Sequence, residues 1–334
     1  MHEQRILVAV LNWGLGHATR MQVLIREWLD QGKDVWIAAD GDACEYLKQR
    51  FPQCTFVDDI PASHVHYDTH QLSKWRWYRG ALQMHQLMLK DHRRCAEIVA
   101  THQIDLIVSD SRLGFYSKHV KSVMVTHQLT PIWPKGMARW GQYYLDRCLK
   151  RFQELWVPDR EDHIFSGALS CTNKGFNIRF LGPLSRFKSP TISRTVYFAA
   201  IILSGPEPAR SAFCKRMADH FGNGVERIVV LGKFDPQYVG QLPVNIEHLP
   251  STTDDGFELV VQASRYIVSR SGYSTIMDLN ALGRVGLLIP TRGQTEQEYL
   301  AKYHEQWGHS ILSEDELGAL SNASFLAAFT VIDA

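Results

Sequence analysis

Ile6-Leu7-Val8-Ala9-Val10-Leu11 runs directly into Asn12-Trp13-Gly14-Leu15-Gly16-His17, and from Ala18 to Gln31 the apolar residues return at helical spacing. A short apolar run, a glycine turn and then a helix of period 3.6 open a parallel α/β domain. Short runs at Asp34 to Ala39, Ile104 to Ser109, Ser122 to Thr126 and Glu154 to Val157 continue the alternation and predict one doubly wound sheet. From Gly182 to Arg194 the chain is Pro-, Ser- and basic-rich without apolar periodicity. This places a linker at 182–195 between an N-terminal domain, 1–181, and a C-terminal domain, 196–334. The alternation then restarts, with strands near Val196 to Leu203, Arg227 to Leu231, Tyr266 to Val268 and Val285 to Ile289, and a closing helix from Ser313. The expected architecture is two Rossmann-like, doubly wound parallel-sheet domains facing across a cleft.

Composition agrees. A chain of 334 residues suits two domains of about 150 residues each. Lys plus Arg number 36 against 35 Asp plus Glu, so no global field favours nucleic acid, and a small-molecule partner is expected. The six cysteines are scattered without a Cys-x-x-Cys pair, which fits reduced thiols in the cytoplasm rather than a disulfide framework or a zinc site. The run Ile6 to Leu11 is too short for a signal or membrane-spanning segment.

Gly14-x-Gly16 invites a dinucleotide reading, but Thr19 stands where the third glycine of G-x-G-x-x-G belongs, and no Lys-Ser/Thr pair follows for a P-loop. What remains is a tight turn that brings backbone to a ligand, with His17 opening a helix. There the helix dipole favours the neutral imidazole that a general base needs; capping the turn is the other reading. Asp110 follows a strand at its carboxyl end, where ligands bind in open α/β sheets, and either orients His17 or contacts an acceptor. Arg112 and His127 fall on the same acceptor side, and helix capping is the competing reading for Asp110 and His127. Asp40-Gly41-Asp42 has the spacing of metal-dependent sugar transferases. Chance alone supplies about one such triplet in a chain this rich in Asp, so it reads as a solvated loop. No cluster has metal-ligand spacing, and neither metal nor cofactor is called for.

In the second half, Ser269-Arg270-Ser271-Gly272-Tyr273-Ser274-Thr275 is followed by Asp278, Pro290 and Gly293-Gln294-Thr295-Glu296-Gln297-Glu298. Small hydroxylated residues and a glycine where a strand gives way to a helix can hold a phosphate on outward backbone N–H groups. Ser204-Gly205, after another strand, faces the same edge, so a diphosphate can bridge the two turns. A helix dipole supplies only about 0.3–2 kcal/mol, whereas micromolar binding needs about 8, so sugar, ribose and base contacts must supply the rest. Asp278 is placed to take both ribose hydroxyls, and Gln297 and Glu298 to hold the sugar hydroxyls, with Gln294 also on the donor side. Taken singly, Asp278 and Glu298 also read as surface helix residues. Trp75-Arg76-Trp77-Tyr78-Arg79 is amphipathic with Leu82, Leu87, Met88 and Leu89, and reads as helical core packing or as a peripheral membrane contact.

Gly14-Leu15-Gly16-His17 together with Ser269-Arg270-Ser271-Gly272 through Glu298 resembles the MurG-type glycosyltransferases of family 28. The resemblance implies the GT-B fold and metal-independent, inverting transfer from a UDP-sugar held by the C-terminal domain to a glycan or lipid-linked acceptor held by the N-terminal one. It also implies a ribose carboxylate at Asp278, a donor-sugar contact at Gln297, and the His17 turn lying against the reaction centre. Three departures bear on the donor: Asp278 where the family usually has Glu, Glu298 where it has a second Gln, and a thin Ser204-Gly205-Pro206-Glu207-Pro208 turn whose prolines donate nothing. A nucleotide-sugar 2-epimerase and a non-catalytic nucleotide-sugar binder share this architecture and stand as alternatives.

Overall fold

The first apolar run forms β1 (Arg5–Val10), and Gly14, at φ 74, makes the left-handed turn that starts α1 (Gly16–Asp30). The computed structural model describes residues 4–63, 74–133, 136–187, 194–222, 224–250, 253–321, 325 and 329. The chain divides into two compact units, Met1–Leu184 and Ser185–Ala334.

In the first unit β2 (Asp34–Ala38), α2 (Gly41–Arg50), β3 (Thr55–Phe56), α3 (Lys74–Thr101), β4 (Leu106–Asp110), β5 (Lys121–Val125), α4 (Ala138–Leu149), β6 (Glu154–Val157) and β7 (Ile178–Phe180) follow. All seven strands are parallel, in the order β3-β2-β1-β4-β5-β6-β7. The strand period of two sorts the side chains by face. Ile6, Val8 and Val10 pack with Ala18, Met21 and Ile25 of α1, while Leu7 and Ala9 pack with Cys95 and Ile98 of α3 and with Ile107 and Phe115. Each buried Val, Leu, Ile, Met or Phe side chain among them contributes about 1.5–3 kcal/mol. No helix links β4 to β5; their connection instead lies against α3 at Gly114, where an added Cβ would stand 2.3 Å from the Met88 carbonyl oxygen and 2.5 Å from the Asp91 Cβ.

The second unit repeats the plan with β8 (Tyr197–Ile202), α5 (Ala209–Phe221), β9 (Ile228–Leu231), β10 (Ile246–Leu249), α6 (Asp254–Gln262), β11 (Ser264–Ser269), α7 (Tyr273–Ala281), β12 (Leu287–Leu288), α8 (Thr295–His304), β13 (Ser310–Ile311) and α9 (Glu314–Ala319). Its strand order is β10-β9-β8-β11-β12-β13, again all parallel. Ala199 and Ile201 face Phe213, Met217 and Phe221 on one side, and Ala200 and Ile202 face Val261, Leu279 and Leu282 on the other.

The Asp40-Gly41-Asp42 expectation is corrected. Asp40 is buried at the start of α2, where its carboxylate accepts from Ser63 N at 2.9 Å, Ser63 Oγ at 2.7 Å and Arg112 Nη1 at 2.8 Å; only Asp42 is solvated. Trp75 to Arg79 lie on α3, but their side chains are outside the described residues.

Candidate functional site

In each unit the strand order reverses at one place, and ligands of open α/β sheets bind beyond the carboxyl ends of the strands there. In the first unit that place lies between β1 and β4, where Val10 pairs with Asp110, so the Asn12–Gly16 turn and Asp110 leave the sheet side by side. His17 sits in the first turn of α1, its ring 16% exposed, with Nδ1 3.1 Å from Asp110 Oδ2. Arg20, one turn further along α1, brings Nε to Asp110 Oδ2 at 3.1 Å and pairs Nη2 with Asp110 Oδ1. The same Nη2 lies 2.9 Å from His17 Nδ1 and 3.4 Å from Ser111 Oγ, and Nη1 is 3.5 Å from His127 Nδ1. Burial alone would push the Asp110 carboxyl up, but Arg20 and His17 outweigh it and hold it down at about 2. The carboxylate is therefore a fixed anion behind the imidazole. Ser111 takes φ 60, a left-handed backbone unusual for serine, as the chain leaves the sheet.

Arg112 does not join this group, and its acceptor-side assignment is corrected. Its guanidinium is fully buried, forked onto Asp91 at 3.1 and 2.6 Å, bound to Asp40 and donating to the Pro61 carbonyl at 2.7 Å. The left-handed step at Ser111 separates Arg112 from the Asp110 cluster and sends it into this ion-pair core.

The second reversal lies between β8 and β11, with Ile202 paired to Ser269, so Ser204-Gly205 and Ser271-Gly272 emerge from neighbouring strands at one edge. Gly205 has φ 91, and Gly272 precedes α7 with no side-chain cap, leaving Ser274 and Thr275 in the first turn. Arg270 is turned inward: it donates to the Ile289 carbonyl at 3.1 Å, pairs with Glu314 at 2.6 Å and lies over the Phe213 ring. It braces the turn.

Four of the expected donor-side residues make side-chain bonds inside this unit. Gln297 accepts from Thr291 N at 2.8 Å and Glu298 from Gly293 N at 2.8 Å, so one oxygen of each side chain closes the loop ahead of α8; Gln294 is the residue that precedes that helix. Ser271 Oγ donates to the Gln297 carbonyl at 2.7 Å, tying the start of α7 to α8. Asp278, 13% exposed, accepts from Ser185 Oγ at 2.7 Å and lies 3.5 Å from Arg186 Nε. Burial pushes its carboxyl up, and Arg186 offsets that only in part. Arg186 also reaches Asp254 at 3.4 Å and lies over the stacked Phe187 and Phe257 rings.

Residues 4–127 match the model described as glycosyl transferase family 1, and residues 237–318 match the glycosyltransferase family 28 C-terminal domain. The chain is a GT-B glycosyltransferase. The structure of CalG4, the calicheamicin glycosyltransferase, is similar at TM-score 0.67 and 17% identity over 100% of this chain and 91% of that one. The spinosyn rhamnosyltransferase SpnG, complexed with thymidine diphosphate, gives 0.67 and 13% over 98% and 91%. MurG of Acinetobacter baumannii gives 0.57 and 11% over 100% and 91%. No curated protein matches the sequence significantly.

Two features of this glycosyltransferase escaped the sequence reading. Arg20 belongs to no motif in the sequence, although its spacing of three from His17 puts both side chains on one helix face. Ser185 and Arg186 lie in the expected linker, and nothing local marks them as partners of an acid 93 residues beyond Ser185.

Proposed function

We propose that the enzyme moves a sugar from a UDP-sugar, with UDP-N-acetylglucosamine the first donor to test, onto a hydroxyl of a glycan or lipid-linked acceptor, with inversion and without a metal ion. The observation that carries the reading is the His17–Asp110 contact at the first reversal point. With Nδ1 carrying a proton toward Asp110, Nε2 is bare and takes the proton of the acceptor hydroxyl. The acceptor oxygen attacks the anomeric carbon as the bond to the diphosphate breaks, and the electron pair leaves with UDP. Asp110 stabilises the imidazolium that forms. Backbone N–H groups at Ser204-Gly205 and at the start of α7 take the departing charge. Asp278 meets the ribose by exchanging its Ser185 bond. The description of one structural neighbour, SpnG, with thymidine diphosphate in one structure and with spinosyn aglycone in another supports a nucleotide donor and a separate acceptor.

Peripheral contact with an anionic bilayer, at the inner face of the membrane, belongs to the same proposal. No helix among the described residues is long and apolar enough to cross a membrane. Trp140 is 76% exposed on α4, with Tyr143 and Tyr144 beside it, and Leu82 and Leu89 are exposed on α3. His85 Nδ1 and the Tyr144 hydroxyl, 2.8 Å apart, join the two helices, and Arg139, Arg147 and Lys150 are exposed alongside. Aromatic side chains with neighbouring cations suit an anionic interface.

The test is UDP release from a donor panel with and without glycan and polyprenyl acceptors. Acceptor-dependent release that falls in His17→Ala supports transfer. Conversion of the donor to an epimer without acceptor would replace it, and binding without turnover would end the enzymatic reading of this donor class. Sedimentation with phosphatidylglycerol vesicles, but not with neutral ones, tests the bilayer contact.

A further inference from the structure

His17 and Arg20 crowd one ring nitrogen. Nδ1 of His17 lies 2.9 Å from Arg20 Nη2 and 3.1 Å from Asp110 Oδ2. A guanidinium only donates and an ionised carboxylate only accepts. Nδ1 can therefore satisfy one neighbour at a time: bare, it accepts from Arg20; protonated, it donates to Asp110. These are the two neutral tautomers of the imidazole, and they differ at the working nitrogen. Accepting from Arg20 leaves the proton on Nε2, which is then a donor. Donating to Asp110 leaves Nε2 bare, the form that can receive a proton.

The surroundings favour the first arrangement. Asp110 Oδ2 already accepts from Arg20 Nε at 3.1 Å, and its other oxygen is paired with Nη2, so the carboxylate is served without His17. The Arg20 contact to His17 is the shorter of the two. Arg20 is 2% exposed and held by Asp110 and Ser111, with the His127 ring next to Nη1, so the guanidinium cannot swing into water. Among the described residues the charged groups in contact with the His17 ring are Arg20 and Asp110, and His127 lies against the far side of the Arg20 guanidinium, 3.5 Å from Nη1.

We propose that Arg20 is a positioning residue that selects the resting tautomer of His17, keeping Nδ1 bare and the proton on Nε2, so that the free enzyme rests with its base masked. Unmasking moves one hydrogen bond. Water delivers a proton to Nδ1 and removes the one on Nε2, with no net change in charge, and Nδ1 turns from Arg20 to Asp110. The catalytic consequence rests on the reading of His17 as general base; the tautomer does not.

The experiment is nitrogen-15 NMR of the full chain labelled at histidine, without substrate, at a pH where His17 is neutral, with His17→Gln assigning the resonances. The expected wild-type signature is an unprotonated Nδ1 and a protonated Nε2. Arg20→Met should invert it, and Arg20→Lys, which restores a cationic donor, should return it. A wild-type Nδ1 that carries the proton overturns the proposal, as does a folded Arg20→Met protein with the pattern unchanged. If Arg20→Met does not fold, the wild-type spectrum and Arg20→Lys decide alone. A masked tautomer in a protein that transfers no sugar would leave this inference standing and remove the functional reading.

Discussion

The two reversal points share a topology and differ in what fills them. In the first unit the space beyond β1 and β4 holds ionised side chains: Asp110 held down at about 2, Arg20 buried on it, and a second guanidinium, Arg112, locked between Asp40 and Asp91. In the second unit the space beyond β8 and β11 holds backbone turns, and the polar side chains nearby are bonded to their own loops. Even the two acids are perturbed in opposite senses, Asp110 downward and Asp278 upward. Paired charge buried in advance suits proton handling, because it costs no rearrangement when the proton moves. Backbone turns ahead of a helix suit a ligand that brings its own charge.

The sharpest way to break this contrast is at the buried charges. Arg112→Ala leaves Asp40 and Asp91 facing each other without a cation and should cost about 3–5 kcal/mol of stability, read by chemical denaturation. A loss below about 1 kcal/mol would mean that the acids are solvated. His17→Ala should cut turnover about a hundredfold or more with UDP affinity unchanged by calorimetry, as expected of a general base. A parallel loss of affinity would move His17 to the donor. Asp110 supplies a third test through acid unfolding. Its folded-state value lies below the ordinary 3.8, so its stabilisation is complete above that value and is lost as pH falls toward about 2. This loss amounts to about 2 kcal/mol. Asp110→Asn should flatten that limb of the stability profile, and an unaltered limb would assign it to other groups. The smallest effect belongs to the second unit. Because burial raises the Asp278 carboxyl, its ionised form is disfavoured by folding, so Asp278→Asn should leave the melting temperature nearly unchanged at neutral pH. Nucleotide affinity should still drop about tenfold, or about 1.4 kcal/mol. Full affinity in that variant would take Asp278 out of the donor site.

How legible each part was follows from burial. The central strands announced themselves, since a strand covered on both faces must be apolar throughout, as Leu7 to Val10 and Ala199 to Ile202 are. The four strands absent from the expected set, β3, β7, β10 and β13, are the edges of the two sheets. Thr55-Phe56 and Ser310-Ile311 are too short and too exposed to leave a pattern. At the site, His17, Asp110 and the Ser271-Gly272 turn could be placed because each follows a readable strand. The partners of Asp278 and the inward turn of Arg112 could not, since those contacts join segments far apart in the chain. Gln297 and Glu298 were located correctly in the first turn of α8, but their folding back onto Thr291 and Gly293 depends on loop shape rather than residue type.

Gly114 carries one last consequence. The backbone of α3 leaves no volume for even a methyl group at that position, and the Asp91 that crowds it also clasps Arg112. A deep mutational scan selecting only for expression should show column 114 as empty as any position in the chain, with alanine depleted alongside tryptophan. Such blankness outside the His17–Asp110 pair would record a steric veto on the scaffold, and a reader of the heat map should not mistake it for chemistry.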